Sequence, residues 1–185
     1  MEAFLVSTGI VALAEIGDKT QLLSLVLATR FKRPWPIVAG ILIATLLNHG
    51  LAGALGAWLM QVIGPDVMRW ILGVSFLLMA GWMLIPDKLD DDEDSSFERH
   101  GVFLTTLVLF FLAEIGDKTQ VATVALAARF DALAAVVAGT TLGMMLANVP
   151  VVFFGEAIAK KIPLPVVHGI TALIFAGLGV AALIA

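Results

Sequence analysis

The sequence contains no cysteine, and only 14% of its 185 residues are charged. Without cysteine, the chain can form no disulfide bond, no thiolate metal site and no cysteine nucleophile. A soluble domain usually has about 25% charged residues, so this chain has too few to build a water-facing surface. Apolar residues make up 60% of the chain, and its mean hydropathy is +1.01. The composition therefore indicates a membrane protein.

Six apolar stretches are about as long as a helix that crosses a bilayer. A bilayer offers no water to backbone N–H and C=O groups, so helices are the natural spanning structure. The alternating polarity of β-barrel strands is not seen. The sequence therefore predicts an all-α membrane protein with six transmembrane helices, over about residues 3–29, 37–60, 67–85, 102–128, 132–158 and 164–184.

An internal repeat relates the two halves of the chain. Residues 14–21 (Ala-Glu-Ile-Gly-Asp-Lys-Thr-Gln) recur letter for letter as residues 113–120, at an offset of 99. Aligning residues 14–31 with 113–130 gives 12 identities in 18 positions. Chance does not produce such a match, so we interpret the chain as a duplicated three-helix unit.

A unit with an odd number of spans enters the membrane on one side and leaves on the other. Its copy must then run upside down, and secondary transporters commonly have such inverted-topology repeats with a site between them. We therefore expect a first three-helix repeat over residues 1–86, an acidic connector over 87–101, and a second, inverted repeat over 102–185.

The basic residues predict the orientation in the membrane. Cytoplasmic loops carry an excess of lysine and arginine, so the connector is expected in the cytoplasm and both termini outside. The net charge of −4 resides mainly in the connector, which argues against a nucleic-acid partner. Seven basic residues fall on the connector's side and two on the other: Arg30, Lys32, Arg33, Lys88, Arg99, Lys160 and Lys161 against Arg69 and Arg129.

Four acidic residues fall near the middle of the first and fourth predicted spans: Glu15, Asp18, Glu114 and Asp117. A charged group at that depth costs at least about 2.5–3.5 kcal/mol, so these acids are expected to face a cavity or one another. Residues three apart lie about 60° apart around a helix, which would point each Glu-x-x-Asp pair in one direction. The symmetry of the repeat would then bring the two pairs together.

Such a cluster suits a divalent cation, because carboxylate and amide oxygens are ligands for calcium, magnesium and manganese. A divalent ion would neutralise the excess negative charge, and so would two protons. Competition between them is the simplest basis for antiport. The prediction is therefore a metal-binding site for a transported ion, with no cofactor; the lipid bilayer and the cation are the expected partners.

Lys19 and Lys118 follow Glu15 and Glu114 by four residues, which is the favourable helical ion-pair spacing. Each lysine is expected to compensate charge, either by holding its glutamate in the empty site or by snorkelling. Gly17 and Gly116 lie between the acids. Close helix packing is the commoner role of such glycines and is expected here, with a local break in the helix as the alternative.

Amide side chains near these spans are secondary candidates for the metal site. Gln21 and Gln120 extend the predicted acidic faces, and Asn48 and Asn148 occupy roughly equivalent places in the second and fifth spans. All four are expected to add oxygen ligands. His49 is expected to be structural, and carrying a proton is its alternative role.

The two copies of Glu-x-Gly-Asp-Lys-Thr resemble the motif that defines a family of cation/proton antiporters. That family includes the Golgi manganese/calcium transporter and bacterial manganese exporters of the MneA type. The resemblance covers essentially the whole chain and implies export of Mn²⁺, or of Ca²⁺, in exchange for protons by alternating access, with the four acids as ion ligands. The compact chain resembles the bacterial branch, which implies a location in the bacterial inner membrane.

Three other functions remain as alternatives. A small-molecule or amino-acid exporter would use the motif lysines to bind a carboxylate. An intramembrane protease would use paired acids, but ionisable groups within spans more often mark ion pathways, so we predict that the protein is not an enzyme. A structural membrane subunit would not need the four acids.

Overall fold

The polypeptide is helical throughout the part of the chain that the structure, a computed structural model, describes: residues 1–85, 101–155 and 163–184. No strand occurs in these ranges. Their helices are α1 (Glu2–Glu15), α2 (Lys19–Phe31), α3 (Pro34–Ile63), α4 (Pro65–Trp82), α5 (Val102–Glu114), α6 (Lys118–Arg129), α7 (Leu133–Phe154) and α8 (Leu164–Ile184). The predicted all-α class is confirmed.

Four of the six predicted spans correspond to single helices, namely α3, α4, α7 and α8. The first and fourth do not, because α1 and α2 are separated by a break, as are α5 and α6. The prediction of continuous helices at these two places is wrong. The predicted connector lies outside the described residues apart from Gly101, and so does the end of the fifth predicted span.

Three described helices, α3, α7 and α8, are long and apolar enough to cross a membrane. Large apolar side chains are exposed along them, as they would be against lipid rather than water. Of the 18-residue apolar window in α8, only 28% is buried inside the protein. Exposed examples are Leu47, Leu51, Leu146, Phe154, Leu173 and Val180. These surfaces agree with a membrane-embedded protein.

The first helix of each half packs against the long helix of the other half: α1 contacts α7, and α5 contacts α3. Glycines make this approach close. A Cβ atom on Gly40 would lie 2.9 Å from the carbonyl oxygen of Phe103, and one on Gly139 would lie 2.5 Å from that of Phe4. Gly139 lies 99 positions after Gly40, and Phe103 lies 99 positions after Phe4, so the two contacts are equivalent under the repeat. The repeated sequence therefore makes repeated contacts.

Helices α4 and α8 pack directly on each other. Their buried side chains Phe76 and Phe175, again 99 residues apart, stack with ring centroids separated by 6.1 Å. Other contacts also recur when the halves are exchanged, since α2 contacts α7 as α6 contacts α3. The broken helices are thereby held against the long helices of the opposite half.

Candidate metal site

Both copies of the repeated motif form a break between two helices. Ile16 and Ile115 are extended, Gly17 and Gly116 have φ of +82° and +76°, and the aspartates that follow are extended N-cap residues of α2 and α6. Glycine enters the positive-φ region without the steric penalty of a Cβ atom. The expected packing role is wrong for Gly116 as far as the described residues go, because an added Cβ would meet none of their atoms within 4 Å.

In each break, the glutamine at the end of the motif accepts a hydrogen bond from the backbone N–H of the motif glycine. The Gly17 N–H donates to Gln21 Oε1 at 3.0 Å, and the Gly116 N–H donates to Gln120 Oε1 at 2.8 Å. These bonds satisfy backbone donors that the interrupted helices leave without partners. The glutamines therefore hold the breaks in shape, a role that the sequence analysis did not assign to them.

The breaks bring three of the four motif acids together. Ligand oxygens of Glu15, Glu114 and Asp117 all lie within 4.8 Å of one another. All three residues are buried, with at most 2% of their surface exposed. Asp18 is equally buried but is not a member of this three-acid group. The acids meet because they flank the breaks, and the predicted helix-face geometry is wrong.

Threonine hydroxyls bind one side of the glutamates. Thr20 donates to Glu15 Oε2, and Thr119 donates to Glu114 Oε2 at 3.2 Å. The other oxygen of each glutamate, Oε1, has no hydrogen-bond partner within the described ranges. Such buried, unpaired oxygens are costly unless an ion or a proton satisfies them. The repeated motif contained these threonines, but the sequence analysis gave them no role.

The two motif lysines make different contacts. Lys19 Nζ lies 3.2 Å from Asp117 Oδ1, across the boundary between the halves. Of the two alternatives for Lys19, the pair with Glu15 is not formed, because the helix break removes the four-residue spacing on which it depends. Lys118 is buried, donates to the Ile85 carbonyl at 3.2 Å and lies 6.0 Å from the centroid of the Trp82 ring.

The amides around the site bind mostly to backbone and to one another. Gln21 Nε2 donates to the Ala147 carbonyl at 3.0 Å, and Gln120 Nε2 lies 3.4 Å from Asn48 Oδ1. Asn48 Nδ2 donates in turn to the Phe111 carbonyl at 3.1 Å. In this arrangement the amides connect the helices that surround the acids.

Asn148 and His49 occupy the same position in the two repeats, 99 residues apart, so Asn148 is the equivalent of His49 and not of Asn48. Asn148 Oδ1 accepts from Ser24 Oγ at 2.7 Å, and its Nδ2 donates to the Met144 carbonyl at 3.1 Å. His49 Nε2 instead lies 3.8 Å from Glu114 Oε2. The histidine therefore lies beside the acids.

His168 makes a contact with the first break that the sequence does not predict. Its Nε2 lies 3.1 Å from the carbonyl oxygen of Ile16, the C-cap residue that follows α1. The side chain of Leu164, also in α8, covers Gly17, where an added Cβ would lie 2.5 Å from its Cδ2 atom. No motif signals this contact, because the residues are 152 positions apart in the chain.

The ligand types and their burial define what the site can do. Carboxylate oxygens prefer hard cations such as calcium, magnesium and manganese. One lysine beside three carboxylates leaves an excess of negative charge. Ionisable groups inside apolar helices are typical of ion pathways. The fold and the site thus define a membrane protein of the ion-transport class.

Comparison with known proteins identifies the family. A family model described as "Divalent cation/proton antiporter GDT1" matches residues 3–91 and 102–185. The chain belongs to this family of divalent cation/proton antiporters, as the repeated motif predicted.

Individual relatives agree with the family match. The chain is 54% identical over 176 residues to a Vibrio cholerae protein named "Putative manganese exporter", covering 95% of this chain and 87% of the relative. It is 30% identical over 194 residues to GDT1-like protein sll0615 of Synechocystis, covering 95% and 93%. It is 29% identical over 202 residues to GDT1-like protein 4 of rice (Oryza sativa subsp. indica), covering 95% and 71%. No solved structure matches the chain.

Proposed function

We propose that this antiporter exports manganese from a bacterial cytoplasm in exchange for protons. Glu15, Glu114 and Asp117 bind the ion, and Asp18 is the fourth acid of the pathway. The observation that carries the proposal is the convergence of the three buried acids from both halves within 4.8 Å. Oxygen atoms bound to one ion at about 2.0–2.6 Å lie about 3–5 Å apart, so the cluster has the dimensions of an ion site.

The proposed cargo is manganese rather than calcium. The ligand oxygens suit either ion. The choice of manganese is supported by the name of the Vibrio cholerae relative, with which the chain shares 54% identity. Calcium is the second cargo to test, and the same assay compares both.

Protons exchange with the ion at the same carboxylates. An empty site holds like charges in a dry environment, where crowded carboxylates do not all remain ionised. Proton binding would neutralise them for the return step, while Lys19 pairs with Asp117. Metal and protons would then occupy the site alternately, which is the requirement for antiport.

The proposed architecture is an inverted repeat of two three-span units, residues 1–86 and 102–185, joined by a cytoplasmic connector. Each unit contributes a broken first span, α1–α2 or α5–α6, and two further spans. The matched contacts of Gly40 and Gly139 support the equivalence of the units. The charge distribution supports the orientation with both termini outside.

The lack of native cysteine makes this orientation testable without background labelling. Lys88→Cys places a thiol in the connector, and Asp66→Cys places one at the exposed start of α4. In intact cells, an impermeant maleimide should label the second variant and spare the first. The opposite pattern would reverse the proposed orientation.

Transport into proteoliposomes tests the site. A pH gradient should drive manganese flux, and Glu15→Gln, Glu114→Gln and Asp117→Asn should each lower it at least about ten-fold, equivalent to 1.4 kcal/mol. Asp131→Asn is the matched control, because Asp131 is exposed. Parental flux in Glu114→Gln would refute the site, and flux independent of pH would refute the exchange.

A further inference from the structure

We propose that His49 is a nitrogen ligand of the transported ion and that it favours manganese over calcium and magnesium. This inference rests on the proposed function, because it adds a ligand to the same site. From the sequence alone, a structural role is expected for His49. Its surroundings in the structure point to a different one.

His49 is completely buried in α3, with 0% of its surface exposed. Neither ring nitrogen has a hydrogen-bond partner among residues 1–85, 101–155 and 163–184. Burying a polar group without a partner costs free energy. A purely structural histidine would normally have its nitrogens satisfied, so the missing partner needs another explanation.

The nearest acid indicates what the missing partner is. His49 Nε2 lies 3.8 Å from Glu114 Oε2, which is too long for a hydrogen bond between the two side chains. Two atoms that bind one metal ion at about 2.0–2.6 Å are separated by about 3–5 Å. This separation therefore fits two ligands of a shared ion better than a direct hydrogen bond. An ion held by Glu114 would lie within reach of Nε2.

The equivalent position in the other repeat provides an internal comparison. Asn148 is also fully buried, but its amide is satisfied at both ends by Ser24 and Met144. The fold therefore accommodates a hydrogen-bonded amide at this position. Of these two equivalent residues, His49 is the one whose polar atoms have no hydrogen-bond partner in the described part of the chain, and it lies on the side of Glu114. The environment of His49 therefore differs from that of Asn148, and it does so beside Glu114, where the proposed ion needs a ligand.

A nitrogen ligand changes the order of ion preference. Calcium and magnesium bind almost exclusively oxygen atoms, whereas imidazole is a common ligand for first-row transition metals. Carboxylates alone would leave manganese to compete with the more abundant hard cations. Replacing one oxygen ligand by imidazole would weaken calcium and magnesium binding relative to manganese.

Pulsed electron paramagnetic resonance of Mn²⁺ bound to the purified, full-length protein tests the ligand directly. The parent protein should show electron spin-echo modulation from a bound ¹⁴N, which changes to the ¹⁵N pattern when only histidine is ¹⁵N-labelled. His168→Asn should retain this modulation, because His168 contacts the Ile16 carbonyl instead of the acids. His49→Asn should lose it. Bound Mn²⁺ without histidine modulation in the parent protein would refute the inference, whether or not the variant folds.

Ion competition in proteoliposomes tests the selectivity. His49→Asn introduces the residue that the other repeat has at this position. The ratio of kcat/KM for manganese to that for calcium should fall about ten-fold, or 1.4 kcal/mol. An unchanged ratio would refute the selectivity role.

The two proposals fail in different ways. Manganese binding that depends on Glu114 but lacks a nitrogen signal would remove His49 from the site and leave the proposed function standing. Binding and flux that are unaffected by Glu114→Gln would contradict the proposed function itself.

Discussion

Replacing Gly116 by alanine distinguishes a broken helix from a continuous one. In the structure this glycine has φ of +76°, and an added Cβ would meet no atom of residues 1–85, 101–155 or 163–184 within 4 Å. With respect to these residues, the substitution therefore tests backbone conformation without a steric clash. A continuous helix would respond to the same change in the opposite direction.

The expected magnitudes follow from the two conformations. Alanine in the left-handed region costs roughly 1–2 kcal/mol, so the break predicts that the free energy of unfolding falls by about this amount. In a continuous helix, alanine is about 1 kcal/mol more favourable than glycine. The two conformations therefore differ by about 2–3 kcal/mol, and they predict opposite signs.

Equilibrium unfolding in mixed detergent micelles, followed by the fluorescence of the four tryptophans, measures this difference. Gly9→Ala is the matched control, because Gly9 lies within α1, lacks a positive φ, and an added Cβ there would likewise meet no described residue within 4 Å. It should leave the free energy of unfolding unchanged or raise it. If Gly116→Ala raised that free energy as well, the reasoning about the break would be refuted.

Contacts elsewhere lead to three other expected outcomes. Lys19→Met should lower proton-driven manganese flux in proteoliposomes about ten-fold, because the empty site would retain an unpaired, buried Asp117; parental flux would contradict this role. Gly139→Leu should destabilise the protein by about 1–3 kcal/mol in the unfolding assay by overpacking the α1–α7 contact, and parental stability would contradict that contact. A double-mutant cycle of Ser24→Ala and Asn148→Ala should give a coupling of about 0.6–1.7 kcal/mol, and additive effects would argue against the bond.

The repeated motif was sufficient to predict the family and the meeting of acids from both halves. Its exact recurrence at residues 14–21 and 113–120 implied equivalent positions in two copies. It did not reveal the local backbone. Gly-Asp is also a typical sequence for ending one helix and capping the next, since glycine adopts positive φ and aspartate is a favoured N-cap residue. The long apolar sequence on both sides of the motif favours a continuous membrane-spanning helix, and this outweighed the signal for a break.

The partners of the polar side chains were less predictable. The ion pair between Lys19 and Asp117 depends on how the two halves pack, and helical spacing within one half contains no such information. The position of His49 beside Glu114 likewise needs the contact between α3 and the second half. Asn148 was assigned to the site from its residue type, although Ser24 and Met144 satisfy its amide.

The packing of helices from one half against helices of the other half limits how the molecule can move. Helix α1 is pressed onto α7, and α5 onto α3, through glycines that allow backbone-to-backbone approach. If the N-terminal and C-terminal halves moved apart as two rigid bodies, both of these close helix contacts would be broken at the same time. If transport proceeds by alternating access as proposed, moving bodies that keep both contacts intact would each combine helices from both halves.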